Sequence, residues 1–410
     1  MGAPAARVAE LSTLWAEAGH DVTVLTGFPN HPTGVVPPQY RRQMWRLAMR
    51  EQWNAINVVR TWLLPLPNRK PYERILNYSS FAVSAASSGM LVERPDLIIA
   101  TSPQLLTGVA GYWLAQWKRV PFVLEIRDLW PESLAAVGIG AQNSLMYRTL
   151  ERIAGFLYRR CDHVVVVTSA FRDALTDNWN IPSDKISVVE NGVDTGLFRP
   201  RSAEALRIRA AMRWEDNFVV SYVGTMGMAQ GLEIVIDTAA RLQARAPAIQ
   251  FLFVGEGAEK QRIVELVQHK ALNNVCFVDQ QSREKIPNYI SASDVCIVPL
   301  RRSGLFRTVL PTKLLEFMAC AKPVIVGVDG LARKIVDDAK AGIFVEPQNS
   351  VALADAVLHL SRHPELCAAL GENGRQYILQ RFTRRQTAQT YMQVLEYVID
   401  GQPVPATAAA

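Results

Sequence analysis

The sequence predicts an α/β protein made of two doubly wound lobes that face a central cleft. Short runs rich in Val, Ile and Phe alternate with stretches of helical period along nearly the whole chain, which is the pattern of parallel strands joined by crossover helices. The apolar runs form two series, separated by the polar stretch 191–204. A length of 410 residues also favours two domains.

The predicted strands of the first series span 21–26, 56–61, 96–101, 121–126, 163–168 and 186–190. Those of the second series span 218–224, 249–255, 275–279, 294–300, 323–328 and 342–346. We therefore expect an N-terminal lobe at 1–195 and a C-terminal lobe at 196–370. Residues 371–400 predict helices that pack back across both lobes, and residues 401–410 predict a disordered tail.

The beginning of the chain departs from this pattern. The segment "MGAPAARVAELSTLWAEAGHDVTVLT" predicts a helix followed by a strand, with no strand before the helix. A doubly wound sheet normally opens on a strand that leads into its first helix. We therefore expect the first strand of the N-terminal lobe to be missing, and hypothesise that the chain is truncated at its N-terminus.

The cysteines favour a reducing compartment. The five cysteines lie scattered in apolar runs and form no CxxC pair, which argues against a disulfide framework or a zinc site. No stretch reaches the roughly 18 continuous apolar residues of a membrane span, and the first residues lack the order of a signal peptide. We expect a cytoplasmic protein that needs no metal or other cofactor.

The positive charge is concentrated in residues 40–75. This segment has eight Arg or Lys and two Glu, so its excess of six equals the net charge of +6 of the whole chain. It also carries Trp45, Trp53 and Trp62, and basic residues among tryptophans suit an anionic membrane surface. The alternative is a solvated face with tryptophans in the core. Nucleic acid is the least favoured partner, because no binding motif accompanies the charge. We predict contact with the inner face of the plasma membrane.

The stretch "LPTKLLEFMACAKPVIVGV" (310–328) holds the first candidate site. Pro311 suits a helix start, Thr312 is a possible cap, and Lys313 and Glu316 share a face at i, i+3 spacing. The amino end of a helix favours a phosphate, an ammonium adds positive charge, and a carboxylate accepts hydrogen bonds from a sugar diol. Alternatively, Glu316 and Lys313 are only an ion pair in the first helical turns.

Two glycine-containing turns follow predicted strands of the second lobe. "YVGTMGMAQGLE" (222–233) carries Gly224, Thr225, Gly227 and Gly231, and "FVGEGAEK" (253–260) carries Gly255, Glu256 and Gly257. Glycine in such turns lets backbone N–H groups approach a phosphate. Neither turn is a full GxGxxG fingerprint, and either could be only a tight connection between strand and helix.

The stretch "LEIRDLWPESL" (124–134) places three charged residues, Arg127, Asp128 and Glu132, after a predicted strand. Ligands in α/β sheets bind beyond the carboxyl ends of strands, and charges there need partners or a task. Either these side chains form an internal ion-pair cluster, or they contribute to a functional site.

Taken in order, these motifs and "ENGVDTGLF" (190–198) resemble the family 4 retaining glycosyltransferases of the GT-B fold. The stretches "TGFPNHPTGVV", "ERILNYSSFA" and "TSPQLLTGVAGYWLA" are similar to the branch that builds bacterial O-antigen, capsule and colanic-acid type polysaccharides, including N-acetyl-L-fucosaminyl transferases. The resemblance spans nearly the whole chain.

The resemblance implies roles for residues in both lobes. Glu316 matches the residue that binds the donor ribose, and Lys313 and the turn from Gly224 to Gly231 match groups around the diphosphate. The following matches complete the implied donor, acceptor and catalytic set: Thr312, Thr225 and Gly227 beside the diphosphate groups; Gly255, Glu256 and Gly257 near the base; Asp128, with Arg127 before it, at the sugar end of the cleft; and Gly2 in the first-lobe glycine loop.

Some residues depart from the family pattern. Thr308 stands where the wider family has a glutamate, and Arg127 stands where a histidine is frequent. Met226 and Gln230 replace the Arg and Lys that are frequent in the diphosphate turn, so we expect Lys313, nearby arginines or helix ends to supply the positive charge.

The implied reaction is transfer of a hexose, expected to be an N-acetylated deoxy sugar, from a UDP-sugar to a lipid-diphosphate-linked acceptor, with retention and without a metal. Two alternatives stay open. A nucleotide-sugar 2-epimerase shares the fold, and it would convert the donor without an acceptor. A catalytically degenerate assembly partner would not bind UDP.

Overall fold

A computed structural model of the chain describes residues 3–30, 34–67, 71–102, 104–133 and 144–402. The chain divides into two compact units. The N-terminal unit comprises Pro4–Glu190 and the segment from Thr387 onward, and the C-terminal unit comprises Asn191–Gln386. Each unit contains parallel strands connected by helices, which confirms the predicted α/β class with two doubly wound lobes.

The N-terminal unit contains seven strands among its described residues. They are β1 (Thr23–Gly27), β2 (Ala48–Trp53), β3 (Ile56–Thr61), β4 (Ile98–Thr101), β5 (Phe122–Ile126), β6 (His163–Val166) and β7 (Ile186–Val188). They form a three-stranded sheet in the order β1-β3-β2 and a four-stranded sheet in the order β4-β5-β6-β7. All pairs are parallel except β2 with β3.

The helices of this unit are α1 (Ala3–Glu17), α2 (Pro71–Gly89), α3 (Leu105–Lys118), α4 (Leu145–Arg160) and α5 (Ser169–Trp179). The β5 strand is buried along its whole length, as its run of Phe, Val, Leu and Ile predicts. Near the end of the chain a further helix, Arg384–Ile399, returns to the N-terminal unit. There the rings of Trp15 and Tyr391 meet edge to face at 5.3 Å.

Strand β2 is the element that the sequence analysis missed. It pairs with β3 in antiparallel register, with Arg50 opposite Val59 and Glu51 opposite Val58. Its residues are half-buried or exposed, so charged and apolar positions mix and no apolar run marks it. Part of the basic segment 40–75 is therefore an edge strand, and β3 beside it is largely buried.

The C-terminal unit contains one six-stranded parallel sheet in the order β10-β9-β8-β11-β12-β13. The strands are β8 (Phe218–Val223), β9 (Ile249–Val254), β10 (Val275–Val278), β11 (Val295–Pro299), β12 (Val324–Gly327) and β13 (Gly342–Phe344). Strands β8 and β9 are in register along their length, with Val223 opposite Val254. The turns that follow these two strands therefore begin side by side.

The helices of the C-terminal unit are α6 (Ser202–Met212), α7 (Glu233–Gln243), α8 (Lys260–His269), α9 (Ile286–Ala292), α10 (Thr312–Ala319), α11 (Leu331–Ala339), α12 (Ser350–Ser361) and α13 (Pro364–Arg381), and α14 (Arg384–Ile399) is the returning helix. All twelve predicted strands are present, each with both ends within two residues of the predicted ones. Gly2 and residues 403–410 of the predicted tail lie outside the described residues.

Candidate active site

Helix α10 presents Lys313 and Glu316 because its other positions are apolar. Leu314, Leu315, Phe317 and Met318 are fully buried in the core, which fixes the rotation of the helix and turns the two charged residues to its remaining face. The residue before the helix is Pro311, and no side chain caps it. The prediction that Thr312 is the cap is wrong by one position, since Thr312 is the first helical residue.

Lys313 lies beneath the turn that follows β8. Its Nζ is 2.6 Å from the hydroxyl oxygen of Tyr222 and 4.1 Å from the centre of the Tyr222 ring. A Cβ on Gly224 would lie 2.7 Å from the same Nζ. Because residue 224 has no side chain, the ammonium has room to lie there. Burial lowers the pKa of Lys313 to about 7, although Glu316 nearby acts to raise it.

The Tyr222 hydroxyl connects this lysine to the turn. It donates a hydrogen bond to the backbone oxygen of Thr225, and it accepts one from Lys313. Tyr222 is 1% exposed, so its oxygen is satisfied inside the protein rather than by bulk water. The arrangement holds the ammonium against the glycine turn, and in the part of the chain that the structure describes its hydrogen bond goes to a neutral hydroxyl.

Glu316 is paired with Arg283, which the sequence analysis did not single out. The Nη1 of Arg283 is 3.1 Å from the Oε1 of Glu316, and both side chains are mostly buried. The guanidinium also lies over the ring of Phe198 at 4.9 Å. Phe198 ends the "ENGVDTGLF" stretch and is fully buried. Arg283 thus joins two of the motifs that carry the family resemblance.

Gly255 and Gly257 are required by the packing of the two turns against each other. A Cβ on Gly255 would lie 2.2 Å from the oxygen of Gly224, and a Cβ on Gly257 would lie 2.2 Å from the oxygen of Met226. Gly224 N donates to Val254 O, and Met226 N donates to Glu256 O, both at 2.9 Å. Close backbone contact explains these glycines without a ligand, and it also makes the paired turns rigid.

The side chains of the first turn fall into distinct environments. Met226 is completely buried in the core, whereas Thr225 is exposed. Gln230 accepts a hydrogen bond from Gly227 N at 3.0 Å through its Oε1. Met226 therefore contributes to the hydrophobic core, and Gln230 stabilises its own turn through this hydrogen bond.

One of the three nearby arginines reaches this turn. Arg301 donates to Met228 O at 2.7 Å and pairs with Glu233 at 2.6 Å. Arg302 pairs with Glu346, and Arg307 pairs with Asp329. Arg301 therefore adds positive charge beside the glycine turn. Thr308, at the position of the expected second glutamate, bonds to Leu305 O at 2.7 Å within its own turn.

The Glu256 side chain is held by Lys260, which also pairs with Asp279. These three residues belong to the second glycine turn, the start of α8 and the residue after β10. The backbone of Glu256 is tied to Met226. The structure thus brings the second turn against the first, while Lys313 lies beneath Gly224.

The N-terminal unit holds the Arg127 and Asp128 pair at the carboxyl end of β5. Arg127 N donates to the Ser102 hydroxyl at 3.2 Å. Burial raises the pKa of Asp128 to about 6, against the opposing effect of Arg127. Burial also lowers the pKa of Arg127, while Glu125 acts to raise it. Burial raises the pKa of Glu132 as well.

A buried ion pair lies directly behind Arg127. Arg7 donates from Nε to Glu125 Oε1 at 2.9 Å, and both side chains are almost inaccessible to solvent. Burial opposes ionisation of Glu125, but Arg7 and Arg127 hold the pKa of its carboxyl below the usual range. The charged residues at this end of β5 therefore influence one another, and the ion pair between Arg7 and Glu125 is a different one from the Arg127, Asp128 and Glu132 cluster that the sequence left open.

Two functional candidates, Tyr222 and Arg283, were missed by sequence reasoning. Tyr222 is part of an apolar strand run, and its single hydroxyl gives no local signal. Arg283 is 33 residues from Glu316 in a polar turn with no periodicity. Among the described residues, no group of three or more His, Cys, Asp or Glu side chains is placed to hold a metal ion.

Known structures with the same architecture are glycosyltransferases of the GT-B fold. Sucrose-phosphate synthase from Thermosynechococcus elongatus aligns with a TM-score of 0.78 at 24% identity, covering 98% of this chain and 94% of that one. HepE from Anabaena in complex with UDP-glucose aligns with a TM-score of 0.70 at 18% identity, covering 92% of this chain and 100% of that one. The fold is therefore GT-B, as predicted.

Two protein families match successive parts of the sequence. The Glycosyl transferase 4-like domain matches residues 2–192, and Glycosyl transferases group 1 matches residues 205–377. Both models describe glycosyltransferase domains and together they cover most of the chain, which confirms the prediction of a glycosyltransferase.

Curated relatives agree with this class. The chain is 25% identical over 384 residues to the putative colanic acid biosynthesis glycosyl transferase WcaI of Escherichia coli K12, covering 90% of this chain and 92% of that protein. It is 27% identical over 268 residues to the probable glycosyltransferase WbjE of Pseudomonas aeruginosa, covering 63% of this chain and 62% of that protein.

Proposed function

We propose that the protein is a retaining hexosyltransferase of surface polysaccharide biosynthesis. It moves a hexose, specifically an N-acetylated deoxy sugar, from a UDP-sugar to a lipid-diphosphate-linked acceptor. The relative named for colanic acid biosynthesis, which is similar over 90% of the chain, supports the pathway class. The fold shared with HepE, whose structure contains UDP-glucose, supports the donor class.

The observation that carries the proposal is the position of Lys313. A buried amine beneath a glycine turn, whose hydrogen bond goes to the neutral hydroxyl of Tyr222, is costly to keep charged unless an anion shares the site. As the glycosidic bond breaks, negative charge grows on the departing diphosphate, and donors fixed in advance stabilise it. In our proposal Lys313, Arg301 and the turn around Gly224 and Thr225 face that charge.

Glu316 has a different role in the proposed reaction. Its carboxylate accepts hydrogen bonds from the ribose diol of the donor, and the ion pair with Arg283 holds the carboxylate in one orientation. The second turn, at Gly255–Gly257, lies on the base side of the nucleotide. These assignments follow the family resemblance, and the backbone contacts between the two turns support them.

We assign Asp128 and Arg127 to the part of the site that holds the donor sugar. We assign Gly2 to the loop of the first lobe that contacts donor and acceptor. With a pKa of about 6, Asp128 is mostly ionised near neutral pH, so it can accept hydrogen bonds from sugar hydroxyls. We propose no protein nucleophile and no metal requirement.

We also place the protein in the cytoplasm at the inner face of the plasma membrane, with contact through residues 40–75 and no role for nucleic acid. Trp45 and Trp53 of this segment are exposed, which supports a membrane contact, whereas Trp62 is half-buried. No helix in the described ranges is both long and apolar enough to cross a bilayer.

The test is a screen of UDP-sugars against lipid-linked acceptors, with Glu316→Ala beside the wild type. We expect transfer by the wild type and its loss in the variant. Glu215→Ala is the matched control, because Glu215 is exposed in the loop that precedes β8, at the opposite end of that strand from the site. Circular dichroism verifies that both variants are folded.

Three results would contradict the proposal. Near-normal transfer by folded Glu316→Ala would remove this residue from the site. Conversion of a UDP-sugar in the absence of any acceptor would indicate a 2-epimerase. Failure of the wild type to bind UDP would indicate a non-catalytic assembly partner.

A further inference from the structure

Five large apolar side chains are exposed around the carboxyl ends of α2 and α3. They are Leu47 before β2, Met90 and Leu91 after α2, and Trp113 and Trp117 on α3. The two tryptophans lie one helical turn apart and are each more than 60% exposed. We call these five residues the helix-end patch; four of them lie outside residues 40–75.

Hydrogen bonds place the parts of this patch next to one another. Ser88 of α2 donates to Leu47 O at 3.1 Å, and Arg50 of β2 donates to Leu91 O at 3.1 Å. Lys118, which follows Trp117, donates to Val92 O at 2.6 Å. The patch is therefore one continuous surface of the N-terminal unit.

The surface is held by close packing of α2 on α3. A Cβ on Gly89 would lie 2.6 Å from a methyl group of Leu114, so glycine allows the end of α2 to lie against α3. Helix α2 also packs on β1 and β3, and α3 packs on β4 and β5, so the exposed tryptophans lie on a well-packed support.

Four cations border the patch, namely Arg50, Arg94, Lys118 and Arg119. Three of them donate to backbone oxygens: Arg50 to Leu91, Lys118 to Val92, and Arg94 to Arg119. A carbonyl oxygen orients a cation without cancelling its charge. The acids of the same loop are Glu93 and Asp96, so the border keeps an excess of positive charge.

We propose that the helix-end patch docks on an anionic lipid bilayer. Indole rings settle at the headgroup level, and basic side chains around them are attracted to anionic lipids. A second copy of the chain fits less well, because a two-fold contact would bring each positive border against its own like charges. Membrane docking rests on the proposed function only for its biological role, which is to bring the enzyme to a lipid-linked acceptor.

The test is co-sedimentation of the full chain with vesicles, without any donor or acceptor. We expect binding to vesicles of phosphatidylcholine mixed with phosphatidylglycerol, weak binding to phosphatidylcholine alone, and release by added salt. The double variant Trp113→Ala/Trp117→Ala should bind the mixed vesicles about tenfold more weakly, since it loses two interfacial anchors. Both side chains are exposed, so the fold should persist, which circular dichroism checks.

Leu145→Ala is the matched control, because Leu145 is an exposed apolar residue of the same unit outside both the patch and residues 40–75. Equal binding by the double variant and the wild type would overturn the proposal. So would a loss of self-association in the double variant, measured by light scattering, with vesicle binding unchanged. UDP binding is measured separately, so a failed membrane test does not count against the proposed transferase, and the reverse also holds.

Discussion

Arg283 and Glu316 form a mostly buried ion pair with 3.1 Å between Nη1 and Oε1, although 33 residues separate them in the sequence. The same guanidinium lies over the ring of Phe198. A planar cation held against an aromatic ring and a carboxylate has little freedom. The orientation of Glu316 is therefore set by residues of two other segments, which leads to the first prediction.

Arg283→Ala should raise the KM for the UDP-sugar donor by about ten- to a hundredfold, with a smaller change in kcat. The reason is that Glu316 loses the partner that orients it while its own carboxylate stays in place. Steady-state kinetics at varied donor concentration measures the effect. Arg283→Lys should restore only part of the affinity, because lysine lacks the planar fork.

The control for this pair is Arg262→Ala, which removes an exposed ion pair with Glu233 and Glu259 in the same unit. Such exposed pairs contribute little, so its kinetics should match the wild type. A change in kcat alone for Arg283→Ala, with an unaltered donor KM, would show that Arg283 does not act through donor binding.

Binding of UDP should be coupled to proton uptake by Lys313. The pKa of Lys313 is lowered to about 7 in the free protein, so at pH 8 most molecules carry a neutral amine. A bound diphosphate favours the ammonium, and each complex should then take up close to one proton. Affinity should fall by up to about tenfold per pH unit above the pKa.

Calorimetry at pH 8 in two buffers of different ionisation enthalpy measures this uptake. Two groups lie near Lys313. Burial raises the pKa of Tyr222, so this tyrosine does not titrate in the pH range of the experiment. Glu316 supplies the nearby negative charge. Lys313→Met should bind UDP more weakly and without buffer-dependent heat. Undiminished uptake in that variant would assign the proton to another group.

Tyr222→Phe should lower the free energy of unfolding by about 1–3 kcal/mol, because it leaves Lys313 and the Thr225 carbonyl without their buried partner. Urea unfolding followed by circular dichroism measures the change. Tyr289→Phe, a half-buried tyrosine of the same unit, is the control and should change stability less. Equal effects of the two substitutions would argue against a special role for the Tyr222 hydroxyl.

Gly255→Ala should destabilise the C-terminal unit by about 2–4 kcal/mol. Gly255 has a φ of +144°, and an added Cβ would lie 2.2 Å from the oxygen of Gly224, so both strain and collision oppose the substitution. Gly304→Ala should be nearly neutral, since a Cβ there meets no atom within 4 Å. Thermal unfolding of the two variants compares them directly, and similar melting temperatures would contradict the packing of the two turns.

The sequence could predict the parts of the structure that have a periodic signal. Buried parallel strands such as β12 are continuous apolar runs, and their ends lie within two residues of the predicted ones. Strand β2 is exposed on an edge, where Arg50 and Glu51 interrupt any run. Alternation of apolar and polar residues was therefore too weak to separate it from a loop.

The candidate site was predicted in part for a similar reason. Lys313 and Glu316 lie one turn apart on one short helix, so their shared face follows from spacing alone. Tyr222 and Arg283 are distant from these two residues in the sequence and contact them only in the folded protein. Met226 is a turn residue at a position expected near a diphosphate, but its side chain is buried in the core. The direction of a single side chain in a turn follows no periodic pattern, so the sequence does not reveal it.

The central claim is that Lys313 and Glu316 hold a UDP-linked sugar, and calorimetric titration of UDP tests it most directly. We predict one binding site per chain in the wild type and in Glu215→Ala, and at least a tenfold loss of affinity in folded Glu316→Ala and Lys313→Ala. Equal UDP affinity in all four proteins, or no binding to the wild type, would contradict the claim.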